Sequence, residues 1–446
     1  MDLLGIILSL ILLIVMIYRG FSVLVVSPLM AMFAVSFSDD MPVLTAWTGP
    51  LMEGSAHFVQ AYYPVFLVGA IFGVVMNASG AAKTVANSIS AYMGESRACL
   101  AVIFASFLLV YGGVAVYVVI FAAFPVAQNL FAMANLPRRF IPAAILAGAM
   151  PAYVAPGSAQ FSNTIPIPVL GTTIYAAIIP GIIAVVIWVL IANLYLNRAI
   201  AKAKSNGEGY PFESEQTESA DPPGVFTSFF PIIMVIVGNF LLTQYFSRPE
   251  VIEYYAPYGG VKGIWPITIS ISASLVVSIY MMRRYLQSTL HTLSKGAVDS
   301  LLAIFNTAVQ VGYGNVIQSL SAFALIKGFL LAIPGTKLLT ITVTSALLAG
   351  VVGSVSGGTG IIMEVFGDDF LRLAAEHQID HGLIHRLVLF GCSLLDTLPH
   401  SGLVITVLAV SQCSYRESYM PVFMATCAAP AASVVAIIIL GLMGVS

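Results

Sequence analysis

Charge is what this chain has least of. Only 9% of its 446 residues are Asp, Glu, Lys or Arg, 20 acidic against 18 basic, for a formal net charge of -2. A soluble domain is about 25% charged, so this chain cannot cover a water-facing surface. The even balance of signs also removes nucleic acid as a partner, because that needs a basic face. Trp is rare, with 3 copies, and there are 4 cysteines, Cys99, Cys392, Cys413 and Cys427. None makes a CxxC pair. All four sit in or beside apolar runs, as buried small hydrophobes do. No G-x-x-x-x-G-K-[ST] segment occurs, so nothing supports ATP-driven chemistry or a bound cofactor.

What is present is apolar. Hydrophobic residues make up 59% of the chain, and the mean hydropathy is +0.97. Spans of about 20 apolar residues with short loops predict an all-α polytopic membrane protein with about 11 to 13 transmembrane segments. Tyr and Phe, 19 and 26 copies, supply interfacial belts. Met1-Asp2-Leu3 runs straight into an apolar stretch without a basic leader or an A-x-A site, so it reads as a retained first span.

Composition divides the chain into two membrane halves, 1–197 and 225–446, joined by a hydrophilic linker from Arg198 to Gly224. The linker begins with Arg198, Lys202 and Lys204 and ends at Pro222-Pro223-Gly224. Its basic start beside a span predicts a cytoplasmic position, and Arg283-Arg284, two spans later, agrees. Counting back places Asp39, Asp40 and Glu53 outside. Helix breaks recur in the two halves. Gly112-Gly113, Arg138-Arg139 and Pro156-Gly157 align with Gly357-Gly358, Arg386 and Pro399. Paired breaks are the best sequence pointer to a transporter's midplane site.

Three segments carry candidate chemistry. In the first, Pro156-Gly157-Ser158-Ala159-Gln160 and Asn163-Thr164-Ile165-Pro166, proline cannot continue a helix. Freed amides with Gly157, Ser158, Gln160, Asn163 and Thr164 would suit an anion; the alternative is an ordinary extracellular loop. The second, Gly353 to Gly360, offers Ser356, Gly357, Gly358 and Thr359 as uncharged donors and close backbone; the alternative is a small-residue packing seam. In the third, Asp396 and His400 flank Pro399 inside an apolar tract. Membrane-embedded Asp and His commonly form proton relays. Glu53, His57, Asp299, Glu364 and His385 lie near the ends of runs and read as loop or solvated positions.

At these motifs the sequence resembles the gluconate:proton symporter family, within the larger ion transporter superfamily. The likeness runs from the first span through Arg416-Glu417-Ser418-Tyr419. It rests on Pro156 to Pro166, on Gly171-Thr172-Thr173 and above all on Asp396-Thr397-Leu398-Pro399-His400. That last stretch is similar to the branch handling 3-hydroxybutyrate, which usually has Asn after the His; here it is Ser401. The resemblance implies an inverted-repeat fold with broken helices or re-entrant hairpins at the midplane, a homodimer, and cation-coupled uptake of an organic anion.

The expected function is proton-coupled symport of a small monocarboxylate across the bacterial inner membrane, the cargo being 3-hydroxybutyrate, a similar hydroxy acid, or gluconate. No Lys or Arg lies within 151–173, 353–360 or 396–402, which suits one carboxylate better than two or three. The alternatives are a sodium-coupled carrier and a membrane-embedded enzyme using Asp396, His400 and Ser401.

Overall fold

Backbone N–H and C=O groups in lipid must be satisfied within their own segment, and the apolar runs accordingly form helices. A computed structural model describes residues 2–19, 21–94, 97–211, 222–399 and 401–446, with no strand among them. The first half comprises α1 (Asp2–Tyr18), α2 (Val23–Val35), α3 (Val43–Ala46), α4 (Met52–Ala78), α5 (Ala81–Met93), α6 (Ala98–Tyr111), α7 (Val116–Met133), α8 (Ile141–Tyr153), α9 (Ile167–Leu170) and α10 (Ile178–Ser205). Next come α11 (Val225–Phe246), α12 (Pro249–Tyr255), α13 (Trp265–Met282), α14 (Thr289–Gln318) and α15 (Phe323–Leu331). The last group is α16 (Lys337–Val352), α17 (Val355–His377), α18 (His381–Ser393), α19 (Gly402–Ser411), α20 (Tyr415–Phe423) and α21 (Ala429–Leu442).

Among the described residues five helices are long and apolar enough to cross a membrane: Val43–Ala78, Ile178–Ser205, Val225–Phe246, Trp265–Tyr285 and Tyr415–Leu442. A sixth candidate, α14 with α15, bends by 100°. Shorter apolar helices include Ala98–Tyr111 and Lys337–Gly350. The apolar runs of the sequence thus divide into whole spans and interrupted ones.

The long pair α4 and α14 packs along its length. A Cβ at Gly312 would lie 2.3 Å from Ser55 Oγ and 2.4 Å from the Leu51 carbonyl, so only glycine permits this approach. Asn315 Nδ2 donates to the Pro50 carbonyl (2.9 Å), within a π-turn at Trp47–Leu51. Beside this pair, α6 packs on α8, α16 on α18, and α10 on α21.

The breaks recur in both halves, with a shifted correspondence. Gly353, at φ +65°, closes α16, whereas Gly357 and Gly358 lie in the first turn of α17. It is Gly353 that stands where Gly112-Gly113 stands between α6 and α7. Arg138-Arg139 form a 3-10 turn ahead of α8, while Arg386 lies inside α18 and is fully buried. The hydrophilic stretch also starts later than its composition suggests, because α10 carries Arg198 through to Ser205. Residues 212–221 of the expected linker lie outside the described residues.

The α6–α8 crossing gives a stability test. A Cβ at Gly148 would sit 1.9 Å from the Ile103 carbonyl oxygen, whereas one at Gly69 would meet nothing within 4 Å. Gly148→Ala should cost about 1–3 kcal/mol through overpacking and lower the melting temperature of the detergent-purified protein. Gly69→Ala should leave it in place. Equal melting temperatures would contradict the packing.

Candidate functional site

The first break follows α8. Backbone from Val154 to Ala177 is mostly non-helical, interrupted by one 3-10 turn and the single turn of α9. Several of its carbonyls are satisfied from inside. Arg386 Nη1 donates to the Val154 carbonyl (2.6 Å) and Asn163 Oδ1 (3.1 Å), Nη2 to Ile174 (3.1 Å) and Nε to Ala176 (3.1 Å). Asn163 Nδ2 reaches the Ala155, Ser158 and Ile174 carbonyls at 3.2–3.3 Å. His385 Nε2 lies 3.3 Å from Asn163 Oδ1, and its Nδ1 lies 2.7 Å from Thr172 Oγ1. His385 is fully buried, so the solvated position expected for it is corrected: α18 carries it into the bundle beside Arg386.

Gln160 ties this break to the α6–α7 turn. Its Nε2 donates to the Val110 (2.6 Å) and Val114 (3.0 Å) carbonyls on either side of Gly112-Gly113. Gly113 has φ +98°, which disfavours any residue with a Cβ. Tyr62 of α4 donates to the Ile165 carbonyl (2.7 Å).

The second break, 394–401, is different. Thr397 Oγ1 lies 2.5 Å from Thr426 Oγ1 and 3.0 Å from Cys427 Sγ, both on a π-turn at Met424–Ala428 between α20 and α21. Tyr419 OH donates to the Thr397 carbonyl (3.4 Å) and Tyr415 OH to Pro399 (2.8 Å). No side-chain cation enters among the described residues. Asp396, 4% exposed, approaches the backbone N–H of Val355 at the start of α17.

Here the breaks border a cavity of about 190 Å³. Three helix beginnings face it: Ala115 to Tyr117 of α7, Gly353 to Ser356 of α17, and Leu403 of α19. Met150 and Tyr153 at the end of α8, and Asn306, Thr307 and Gln310 of α14, complete much of the wall. Asp396 is the one carboxyl side chain in the lining, and no Lys, Arg or His lines it among the described residues. Helix starts carry about half a positive charge each. The cavity therefore offers partial positive charge and hydroxyls from its walls, with one carboxyl group beside them.

Of the residues singled out from sequence, Ser356 and Asp396 line this cavity. Gly157, Ser158, Gln160, Asn163 and Thr164 are buried within the first break, and Thr164 Oγ1 donates to the Phe161 carbonyl (2.6 Å). A Cβ at Gly358 would lie 2.6 Å from that of Ala349, so this glycine serves the α16–α17 seam. Thr359 Oγ1 is turned to Cys392 Sγ (3.5 Å), and Gly357 N–H is held by the capping Ser354 Oγ (3.2 Å). His400 lies outside the described residues. Sequence reasoning missed Tyr117, Tyr153, Asn306 and Gln310. The i, i+4 spacing of Asn306 and Gln310 within an apolar helix was the available signal.

Helix breaks that meet at a cavity with a few convergent polar groups, inside an apolar helical bundle, are the arrangement of a membrane-embedded solute transporter. Residues 1–363 match the GntP family permease, and the chain belongs to that family. It is 34% identical over 470 aligned residues, with 100% of both chains covered, to the uncharacterized transporter YxjC of Bacillus subtilis (strain 168). An uncharacterized transporter of Haemophilus influenzae is 22% identical, over 80% of this chain and 78% of that one. The fold is similar to the YdaH transporter of Alcanivorax borkumensis (TM-score 0.61, 15% identity, 90% and 89% of the chains). It is also similar to MtrF of Neisseria gonorrhoeae (TM-score 0.54, 13% identity, 90% and 84%). The enzyme alternative gives way to a multi-pass membrane transporter for a small solute.

Gln160 and Ser158 separate structural from idle polar groups in the first break. Ser158 Oγ is buried with no hydrogen-bond partner among the described residues. Gln160→Leu should remove a bond that the Val110 carbonyl partly replaces from Gly113 N–H (3.0 Å) and leave the Val114 carbonyl without its side-chain donor, at about 1–3 kcal/mol, and lower the melting temperature. Ser158→Ala should leave it unchanged. Thermal unfolding in detergent reads both, and the reverse order would contradict the assignment.

Proposed function

We propose that the protein is a secondary active transporter that carries one small organic monocarboxylate together with one proton. The observation that supports this most is the cavity: three helix starts, no side-chain cation among the described lining, and Asp396 alone as a titratable carboxyl. Its 190 Å³ is below the ~300–1,000 Å³ of sites for drug-sized ligands, which favours a short-chain acid such as 3-hydroxybutyrate, with gluconate second. Asp396 supplies the coupling. Two carboxylates side by side in a desolvated cavity cannot both stay ionised, so a bound monoanion and a proton on Asp396 assist each other. That assistance is reciprocal, which is what symport requires. His400, four residues on, is the second proton-carrying group of this reading.

The rest of the reading follows the family. The two halves, 1–197 and 225–446, are inverted repeats, the 198–224 stretch is cytoplasmic, and the protein works as a homodimer in the bacterial inner membrane. A single cysteine from Ser205→Cys, in a background without native cysteines, should react with an impermeant thiol reagent only from the inner side. Labelling of intact cells would reverse the topology.

Proteoliposomes test the transport chemistry. A monoanion moving with a proton carries no net charge. The membrane potential, worth about 2.3 kcal/mol per charge per 100 mV, then contributes nothing. Labelled 3-hydroxybutyrate should accumulate in response to a pH gradient, without sodium and independently of potential. Asp396→Asn should abolish uphill accumulation. Ser356→Ala should weaken binding roughly ten- to a hundredfold, the worth of a hydrogen bond to a charged ligand. Full accumulation by Asp396→Asn, or an absolute sodium requirement, would refute the coupling.

A further inference from the structure

Arg386 is the most demanding residue in the membrane region. Its side chain is fully buried, and no carboxylate forms an ion pair with it among the described residues. A buried cation without a counter-charge is costly unless its surroundings solvate it. Here they do, and they are all neutral oxygens: the Val154, Ile174 and Ala176 carbonyls and Asn163 Oδ1, at 2.6–3.1 Å. Three of the four come from backbone that has left the helix. Unwound carbonyls of this kind, gathered at a helix break, are what coordinate a sodium ion in transporters that use one.

The chain is shaped to admit the guanidinium at this spot. A Cβ at Gly181 of α10 would sit 2.4 Å from Pro156 Cγ and 3.2 Å from Arg386 Cδ. Glycine there lets α10 close over both the break and the arginine stem. His385, the preceding residue of α18, turns to Asn163 and Thr172 rather than to any acid. Asn163 is oriented by the same set, since its Nδ2 donates to three carbonyls and leaves its oxygen for Arg386.

The geometry points to Arg386 as a built-in cation that fills the carbonyl cage of the first break, in the place a free alkali cation would otherwise take. The guanidinium holds the unwound backbone together through its charge, and it moves with the protein instead of being transported. Of the two breaks, one is thereby closed permanently by a tethered cation and only the other is left to face a mobile ion. The inference concerns the first break alone and uses neither the identity of the cargo nor the role of Asp396.

The test is thermal unfolding of the purified full chain in detergent, in sodium, lithium or choline chloride at equal ionic strength. Wild type should melt at one temperature in all three salts. Arg386→Ala should melt lower in choline, and sodium or low guanidinium should restore part of the loss where extra choline does not. Arg386→Lys and Arg386→Gln settle the matter if the alanine variant does not fold. Lysine keeps the charge and should stay nearer to wild type, whereas glutamine keeps donors and bulk without charge and should fall further. Glutamine melting as high as wild type, or no better recovery of Arg386→Ala by sodium or guanidinium than by choline, would overturn the proposal. So would a sodium-specific shift of wild type that Arg386→Ala loses.

Discussion

Everything in this protein is arranged around one constraint: a helix broken inside lipid leaves polar backbone that has to find partners within the protein. Of its helix breaks, those after α8 and after α18 answer the constraint in two ways. In the first break, the Arg386 guanidinium, Asn163 and Gln160 take up the carbonyls of 154–176 and of the α6–α7 turn. In the second, hydroxyls of Thr426, Tyr415 and Tyr419 brace Thr397 and the Pro399 carbonyl, while helix starts and Asp396 line a cavity. The first break is closed by Asn163, Gln160 and the Arg386 guanidinium brought in from α18; the second, with Phe161 of the first, borders the cavity.

The packing elsewhere serves that division. The α4–α14 pair forms a rigid wall because Gly312 lets the two helices touch, and it presents Asn306 and Gln310 to the cavity. The π-turn at 424–428 has a similar purpose. There the Ala425 carbonyl accepts from Trp188 Nε1 of α10 (2.8 Å), and Thr426 lies against Thr397. The cavity is thus braced by contacts from α4, α10, α14 and α20–α21 at once, which fixes the helix starts that line it.

Much of this was legible in the letters. Low charge and long apolar runs dictated a helical membrane protein, and Gly and Pro within those runs marked the breaks. Asp396 stood out as a charge in an apolar tract, and Ser356 as a hydroxyl in the Gly/Ser-rich segment 353–360. What the sequence hid was which polar residues face a cavity and which bind backbone. Asn163 and Gln160 have the same composition signal as Ser356, yet they are consumed by carbonyls that come from sequence positions up to 50 residues away. Arg386 and His385 were obscured for the same reason. Their partners lie more than 200 residues earlier in the chain, so nothing local shows that a basic pair at the start of an apolar run is buried. The glycines misled in a third way, since Gly353 makes the turn while Gly358 only lets α16 approach.

The central claim is that the cargo sits at the start of α17 and not in the first break. Two single-cysteine proteins, Ser356→Cys and Ser158→Cys in a background without native cysteines, test it with a small membrane-permeant thiol reagent. Cysteine at position 356 should be modified, and 3-hydroxybutyrate should slow that modification; cysteine at 158 should stay unmodified with or without it. Protection at 158, or modification at 356 that cargo leaves unchanged, would place the binding site elsewhere and contradict the account.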